Sequence, residues 1–248
     1  MTAERRRVLL IAGGAALALV LAAAAGVVLQ RALAPGEEAF LCLRTDIGAP
    51  DGARCYSPQE IQALAESPVL DDRGASVNLR LSPPGDEARG LEAVRTCEEY
   101  EARLGEGWRA RSSREMRREA FFTRDCGVRA LLMKARPAKT SYFASGECSE
   151  ADIRLLIAGA PFRIGKEAGE DAPANVVRAG AGEWRINSGG QTMLVQEIAH
   201  ADFNADRRGD MLVYIQIAAE GATAQTGMVG FLDKDAADGP VVFVASRQ

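Results

Sequence analysis

The run Val8–Leu29 carries no charged side chain and follows Arg5, Arg6 and Arg7 directly. About 20 such residues, wound as a helix, span the hydrocarbon core of a bilayer. Three arginines precede the run and only Arg31 closely follows it, which favours a cytoplasmic N-terminus and a body carried across the membrane. The expected order is a cytoplasmic segment over 1–7, a transmembrane helix over 8–29, a tether over 30–38 containing Pro35 and Gly36, and an exported body. A bacterial inner membrane, with the body in the periplasm, fits this arrangement. A cleaved signal peptide is the competing reading, but its apolar stretch is usually only ~7–15 residues. An Ala-x-Ala site ending at Ala34 is followed at once by Pro35, and a cut after Ala25 leaves an apolar new terminus. No small residue precedes Cys42, which argues against lipid attachment there.

All five cysteines, Cys42, Cys55, Cys97, Cys126 and Cys148, lie beyond the apolar run, in a compartment that permits disulfides. Two bridges and one spare thiol are the natural count. Sequence does not fix the pairing; the short loop between Cys42 and Cys55 closes at little entropic cost, and Cys97 with Cys126 is the second pair expected. A thiolate metal site is disfavoured, because no Cys-x-x-Cys occurs and His200 is the only histidine.

A net charge of −4 gives no global attraction to nucleic acid. Arg114, Arg117, Arg118, Arg124 and Arg129 are interleaved with Glu115, Glu119 and Asp125, so they read as a solvated helix face and not as a nucleic-acid patch. No nucleic-acid partner is expected.

The body reads as α+β: a mainly helical part over 39–172 packed with an antiparallel β part over 173–248. Ser57-Pro58-Gln59-Glu60 is a helix start with a capping box and proline at the first helical position. "SVNLRL", 76–81, reads as a strand before the loop at Pro83-Pro84-Gly85. Helical spacing predicts further helices over 91–104, over 113–135 with a break near Asp125 and Gly127, and from Ser149 to the Ala160-Pro161 step. After Pro173, short β-branched or aromatic runs separated by glycine predict an antiparallel sheet. In "MLVYIQI", Met211, Val213, Ile215 and Ile217 make an apolar face and Leu212, Tyr214 and Gln216 an amphipathic one.

The stretch most able to carry a site is "ADFNADRRGDMLVYI". Asp202, Asn204, Asp206 and Asp210 stand at positions 1, 3, 5 and 9, and Arg208 would offer its backbone carbonyl at position 7. Such oxygen spacing can wrap a hard cation, with calcium the candidate. Val213 occupies position 12, where an EF-hand needs a bidentate glutamate. The stretch resembles the Asp-x-Asn-Gly-Asp-Gly loops of VCBS and FG-GAP type modules and of exported bacterial proteins in which one such loop joins two strands. The resemblance covers about fifteen residues of 248 and implies a hairpin loop, a calcium candidate and no enzymatic activity. Ala205 and Arg207 replace both glycines of that pattern. The preferred reading is a metal-free turn held mainly by Arg207 and Arg208, with bound calcium the alternative. "TCEEYEARLGEGW", 96–108, is also similar to uncharacterised exported bacterial proteins, without an assigned function.

Other signals are bland. His200 reads as a polar residue at a strand end and Arg208-Gly209-Asp210 as a chance match to an adhesion tripeptide. Glu98 and Glu99 point in different directions on a helix. Trp108, Trp184 and Phe231 read as core or sheet-face residues. No serine-nucleophile or phosphate-loop motif is present, so no catalytic residue and no cofactor beyond calcium is expected. The functional expectation is a non-enzymatic, membrane-anchored periplasmic protein that binds a protein partner or supports a membrane complex. The alternative is a periplasmic hydrolase or ligand-binding domain with its site near the acidic loop.

Overall fold

The computed structural model describes residues 41–49, 52–85, 90–159, 174–219 and 225–246, all within the compact unit Ala39–Gln248. The transmembrane run, the tether and the cleavage sites lie outside the described residues. Among the described residues no helix is long and apolar enough to cross a membrane.

The centre is a sheet built from the glycine-punctuated runs: β6 (Asn175–Gly180), β7 (Glu183–Ser188), β8 (Gln191–Ala201), β9 (Arg208–Ala219), β10 (Gln225–Asp233) and β11 (Val242–Ala245). They form an antiparallel meander, each strand paired with the next. A two-residue strand, β5 (Thr140–Ser141), runs parallel to the start of β9. Because strand side chains alternate between faces, β9 sends Met211, Val213 and Ile215 into one core and Leu212 and Tyr214 into another. The second face, expected to be amphipathic, is buried as well, because helix α3 (Ser113–Leu132) and the chain around Leu41 and Leu43 cover it. Helix α4 (Glu150–Gly159) covers the first face through Ile153 and Leu156. The result is a mixed helix and sheet body with helices on both faces of the sheet.

A smaller core joins the hairpin of β3 (Leu79–Leu81) and β4 (Glu92–Val94) to α2 (Cys97–Gly105) and α3. Only Leu79–Leu81 of "SVNLRL" forms a strand, with Ser76 in an isolated bridge to Leu70, and the expected helix from Leu91 starts six residues later. The reason is local: Glu92–Val94 pairs back on Leu79–Leu81, and Thr96 then caps α2 in a reciprocal box with Glu99. Helix α3 runs unbroken through Asp125 and Gly127. Gly127 is there for packing, since a Cβ would meet the Val229 side chain at 3.1 Å. Ser57 caps α1 (Pro58–Ala63) with the expected box to Glu60.

Cys42 is bonded to Cys55 across the two-residue strands β1 (Leu41–Cys42) and β2 (Cys55–Tyr56). Cys97 is bonded to Cys126, joining α2 to α3. Cys148 is free and buried. One disulfide contributes ~2–4 kcal/mol, whereas burying each large apolar side chain contributes roughly 1.5–3 kcal/mol. The many buried apolar side chains of the cores therefore dominate, and the bridges fasten Leu41 and Tyr56 at the edge of one core and α2 to α3 inside another.

Candidate functional site

The acidic stretch forms the connection between β8 and β9, with Ala201 paired to Asp210 at its base. The segment before β5 flanks it: Arg136 and Asp202 exchange backbone hydrogen bonds at 2.9 and 3.0 Å, and the Lys139 N–H donates to the Arg207 carbonyl at 2.9 Å. Within the loop, Asp202 Oδ1 accepts from the Ala205 N–H at 2.7 Å and Oδ2 from the Arg207 N–H at 2.9 Å. Asn204 accepts from the Asp206 N–H at 3.0 Å and Asp206 Oδ1 from the Arg208 N–H at 2.7 Å. The Arg208 guanidinium reaches Asp206 Oδ2 at 2.6 Å. Arginine side chains are therefore a minor fastening, contrary to the expectation that they hold the turn. The loop is closed chiefly by its backbone amides, which a short aspartate reaches without ordering a long side chain.

Ala205 and Arg207 adopt φ of 69° and 73°. These are the left-handed positions that the loops this stretch resembles fill with glycine, and here alanine and arginine adopt that backbone shape. Position 7, Arg208, already pairs with Thr140 of β5. Among the described residues, no three or more His, Cys, Asp or Glu side chains are grouped so as to hold a metal ion. The candidate set Asp202, Asn204, Asp206, Arg208 and Asp210 is brought into one loop, but Asp202, Asn204 and Asp206 turn their side-chain oxygens onto backbone amides and the Arg208 guanidinium.

Asp210 differs from the rest. It is fully buried, Oδ2 accepts from the Phe203 N–H at 2.9 Å, and Oδ1 has no partner. Burial, with a contribution from Asp233 and the loop carboxylates, pushes its pKa up to about 7. Asp233 on β10 belongs to the same cluster and was not legible in the sequence, because only the strand register brings it there. Arg208-Gly209-Asp210 is part of β9 and not an exposed adhesion loop. Gly209 lies beneath His200, where a Cβ would fall 2.3 Å from Nε2.

His200 sits in β8 with Nε2 2.9 Å from Ser141 Oγ. Burial, then Arg44, lowers its pKa, so the ring is neutral near pH 7. Ser141 Oγ also accepts from the Phe143 N–H at 3.1 Å. The pair fastens β5 to the sheet, and among the described residues no carboxylate contacts the other ring nitrogen to orient it as a base.

Clefts formed by the described residues lie elsewhere, and the three described next are not lined by His200 or a loop carboxylate. One of about 820 Å³ runs between α2, α3 and the chain after β11, with Tyr100, Leu104, Gly127 and Ala130 among its walls and Glu101, Glu119 and Arg109 as its charged groups. Tyr100 donates to Glu119 at 3.2 Å, and burial raises the Glu119 carboxyl. A polar groove of about 470 Å³ is lined by Asp46, Asp71, Asp72, Arg124, Gln196 and Gln216 among others. A third, of about 240 Å³, continues beside α3 at Met116 and Tyr214.

Fold and site together define a disulfide-fastened α+β body with an acidic hairpin and open clefts along one helix. No family model, no curated protein and no solved structure matches the chain.

Proposed function

We propose that this protein is a non-enzymatic, single-pass anchored protein of the bacterial inner membrane, whose exported body docks a protein partner or supports a membrane complex. The observation that carries the reading is the 820 Å³ cleft beside α3. Its walls mix small and apolar residues with a half-buried carboxylate and an arginine, the composition of a surface that takes up a side chain from another protein. Disulfides in the body fit an oxidising compartment, and the apolar run after Arg5–Arg7 supplies the anchor.

The test is site-specific photocrosslinking in whole membranes, with the crosslinker at Leu104 or Glu101 of the full chain. A single adduct of defined mass, lost on Ala130→Arg and kept on a change outside the cleft such as Lys139→Ala, is the expected result. Adducts of equal yield from both sites and from a surface control, or none, would remove the cleft as the docking surface.

A further inference from the structure

The hydrogen bonds of the hairpin leave one pair of carboxylates unsatisfied. β9 and β10 are in register with Met211 opposite Leu232, and the next step of that register sets Asp210 opposite Asp233, on the face of Leu212 and Phe231. Each has a buried Oδ1 without a hydrogen-bond partner, and Asp210 is fully buried. Like charges directly opposite one another on neighbouring strands destabilise a sheet, and a buried acceptor left unmade costs more than a typical hydrogen bond contributes. Asp202 and Asp206 deepen the negative field at Asp210, and Asp206 and Asp235 do so at Asp233. Arg208 is the nearby cation. It pairs with Asp206 and acts on Asp233, yet its own Nε is also buried without a partner. It does not close the pair.

We propose that Asp210 and Asp233 bind one hard divalent cation at the base of the β9–β10 pairing, a site that shares Asp210 with the loop's candidate set and takes its second carboxylate from β10. The donors are oxygen only, which selects calcium- and magnesium-class ions over softer metals. Because no third carboxylate converges among the described residues, backbone carbonyl and water oxygens complete the shell, as they do where magnesium is held by one or two carboxylates. Asp202 and Asp206 supply charge and not ligand atoms, since their oxygens are committed to the Ala205, Arg207 and Arg208 N–H groups and the Arg208 guanidinium. Asp233 is the discriminating residue, lying outside the motif that makes the loop resemble a calcium loop.

The experiment is calorimetric titration of the full chain in detergent, stripped with chelator, using calcium chloride and separately magnesium chloride. One equivalent of at least one ion should bind, with a rise in melting temperature. Asp233→Asn should weaken it at least tenfold, while Asn204→Ala should leave it within twofold. Should Asp233→Asn fail to fold, gadolinium broadening of amide resonances in the unmutated chain decides: broadening centred on Met211 and Leu232 supports the site, and broadening centred on Asn204 overturns it. Uptake of neither ion, with the pair merely holding a proton, also overturns the proposal, as does a loss caused by Asn204→Ala instead of Asp233→Asn.

Discussion

Lys234 Nζ lies 2.6 Å from Asp152 Oδ1, and the two side chains are 6% and 4% exposed. The pair ties the first turn of α4, where Asp152 also holds the Ser149 N–H and hydroxyl at 2.9 and 2.7 Å, to the chain leaving β10. Removing one member of a buried ion pair strands the other charge and typically costs ~3–5 kcal/mol, whereas replacing both with apolar residues is often close to neutral. Lys234→Met should therefore lower the unfolding free energy by about that amount in urea. Adding Asp152→Leu should recover most of it, short of the lost cap at Ser149. A Lys234→Met chain as stable as the original would show that the pair is solvated and of little consequence.

The strained hairpin gives a prediction of opposite sign. Left-handed backbone costs a non-glycine residue roughly 1–2 kcal/mol, and glycine returns roughly 0.5–1 kcal/mol of that through its freer unfolded chain. Ala205→Gly and Arg207→Gly should each stabilise the body by up to about 1 kcal/mol in thermal melts, and Arg207→Val should destabilise it by more. The glycine changes leave the Asp202 hydrogen bonds in place, since those use only the backbone N–H groups of both residues. A loss of stability in both glycine variants would mean that the side chains, and not the amides, hold the loop.

Local chemistry was legible from the sequence and long-range register was not. The Ser57 and Ser149 helix starts, the run of strands after Pro173 and the hairpin at Asp202–Asp210 all follow from turn, capping and alternation rules that act within a few residues. Arg129 illustrates the other kind. Its helix reads as a solvated basic face, yet the guanidinium is 1% exposed and donates to the Gly48, Leu64, Ser67 and Pro68 carbonyls at 2.6–2.9 Å. An arginine's five-donor fork suits it to gather several carbonyls, but nothing near Arg129 in the sequence reveals which loops will converge on it. Asp233 is the same case within the site: it is 23 residues from Asp210, and only the pairing of β9 with β10 makes them neighbours.

The two disulfides should differ in how they yield to reductant. Cys42 and Cys55 are exposed, while Cys97 and Cys126 are 6% and 5% exposed. Thiol–disulfide exchange needs in-line access to a sulfur, so mild reductant under native conditions should open Cys42–Cys55 first. Mass mapping after alkylation should find label at Cys42 and Cys55 well before Cys97 and Cys126. Cys148 should remain unlabelled until unfolding, because burial, with Glu197 and Asp152 near it, pushes its thiol well above the ordinary range and the thiolate is the reactive form. Label at Cys97 and Cys126 first would contradict the packing between α2 and α3, and early label at Cys148 the packing beneath α4.

Glu197 sets a pH dependence whose sign is fixed by its surroundings. It is 1% exposed, its Oε1 accepts from Trp184 Nε1 at 2.9 Å and from the Cys148 N–H at 3.3 Å, and Arg44 stands 3.5 Å from Oε2. Burial raises its pKa despite these partners. The folded chain thus holds a proton that the unfolded chain, with an ordinary glutamate pKa near ~4.3, has released. The stabilising contribution is complete below that unfolded value and is lost as pH rises through the folded one. Melting temperature should therefore carry a downward slope from about pH 4 upward, and Glu197→Gln, which cannot titrate, should remove that component. Trp184 reports the same event: in a Trp108→Phe background its emission should titrate above the usual carboxylate range, and the titration should vanish in Glu197→Gln. An unchanged slope in that variant, with Trp184 emission flat across the range in the parent, would place the proton on some other group.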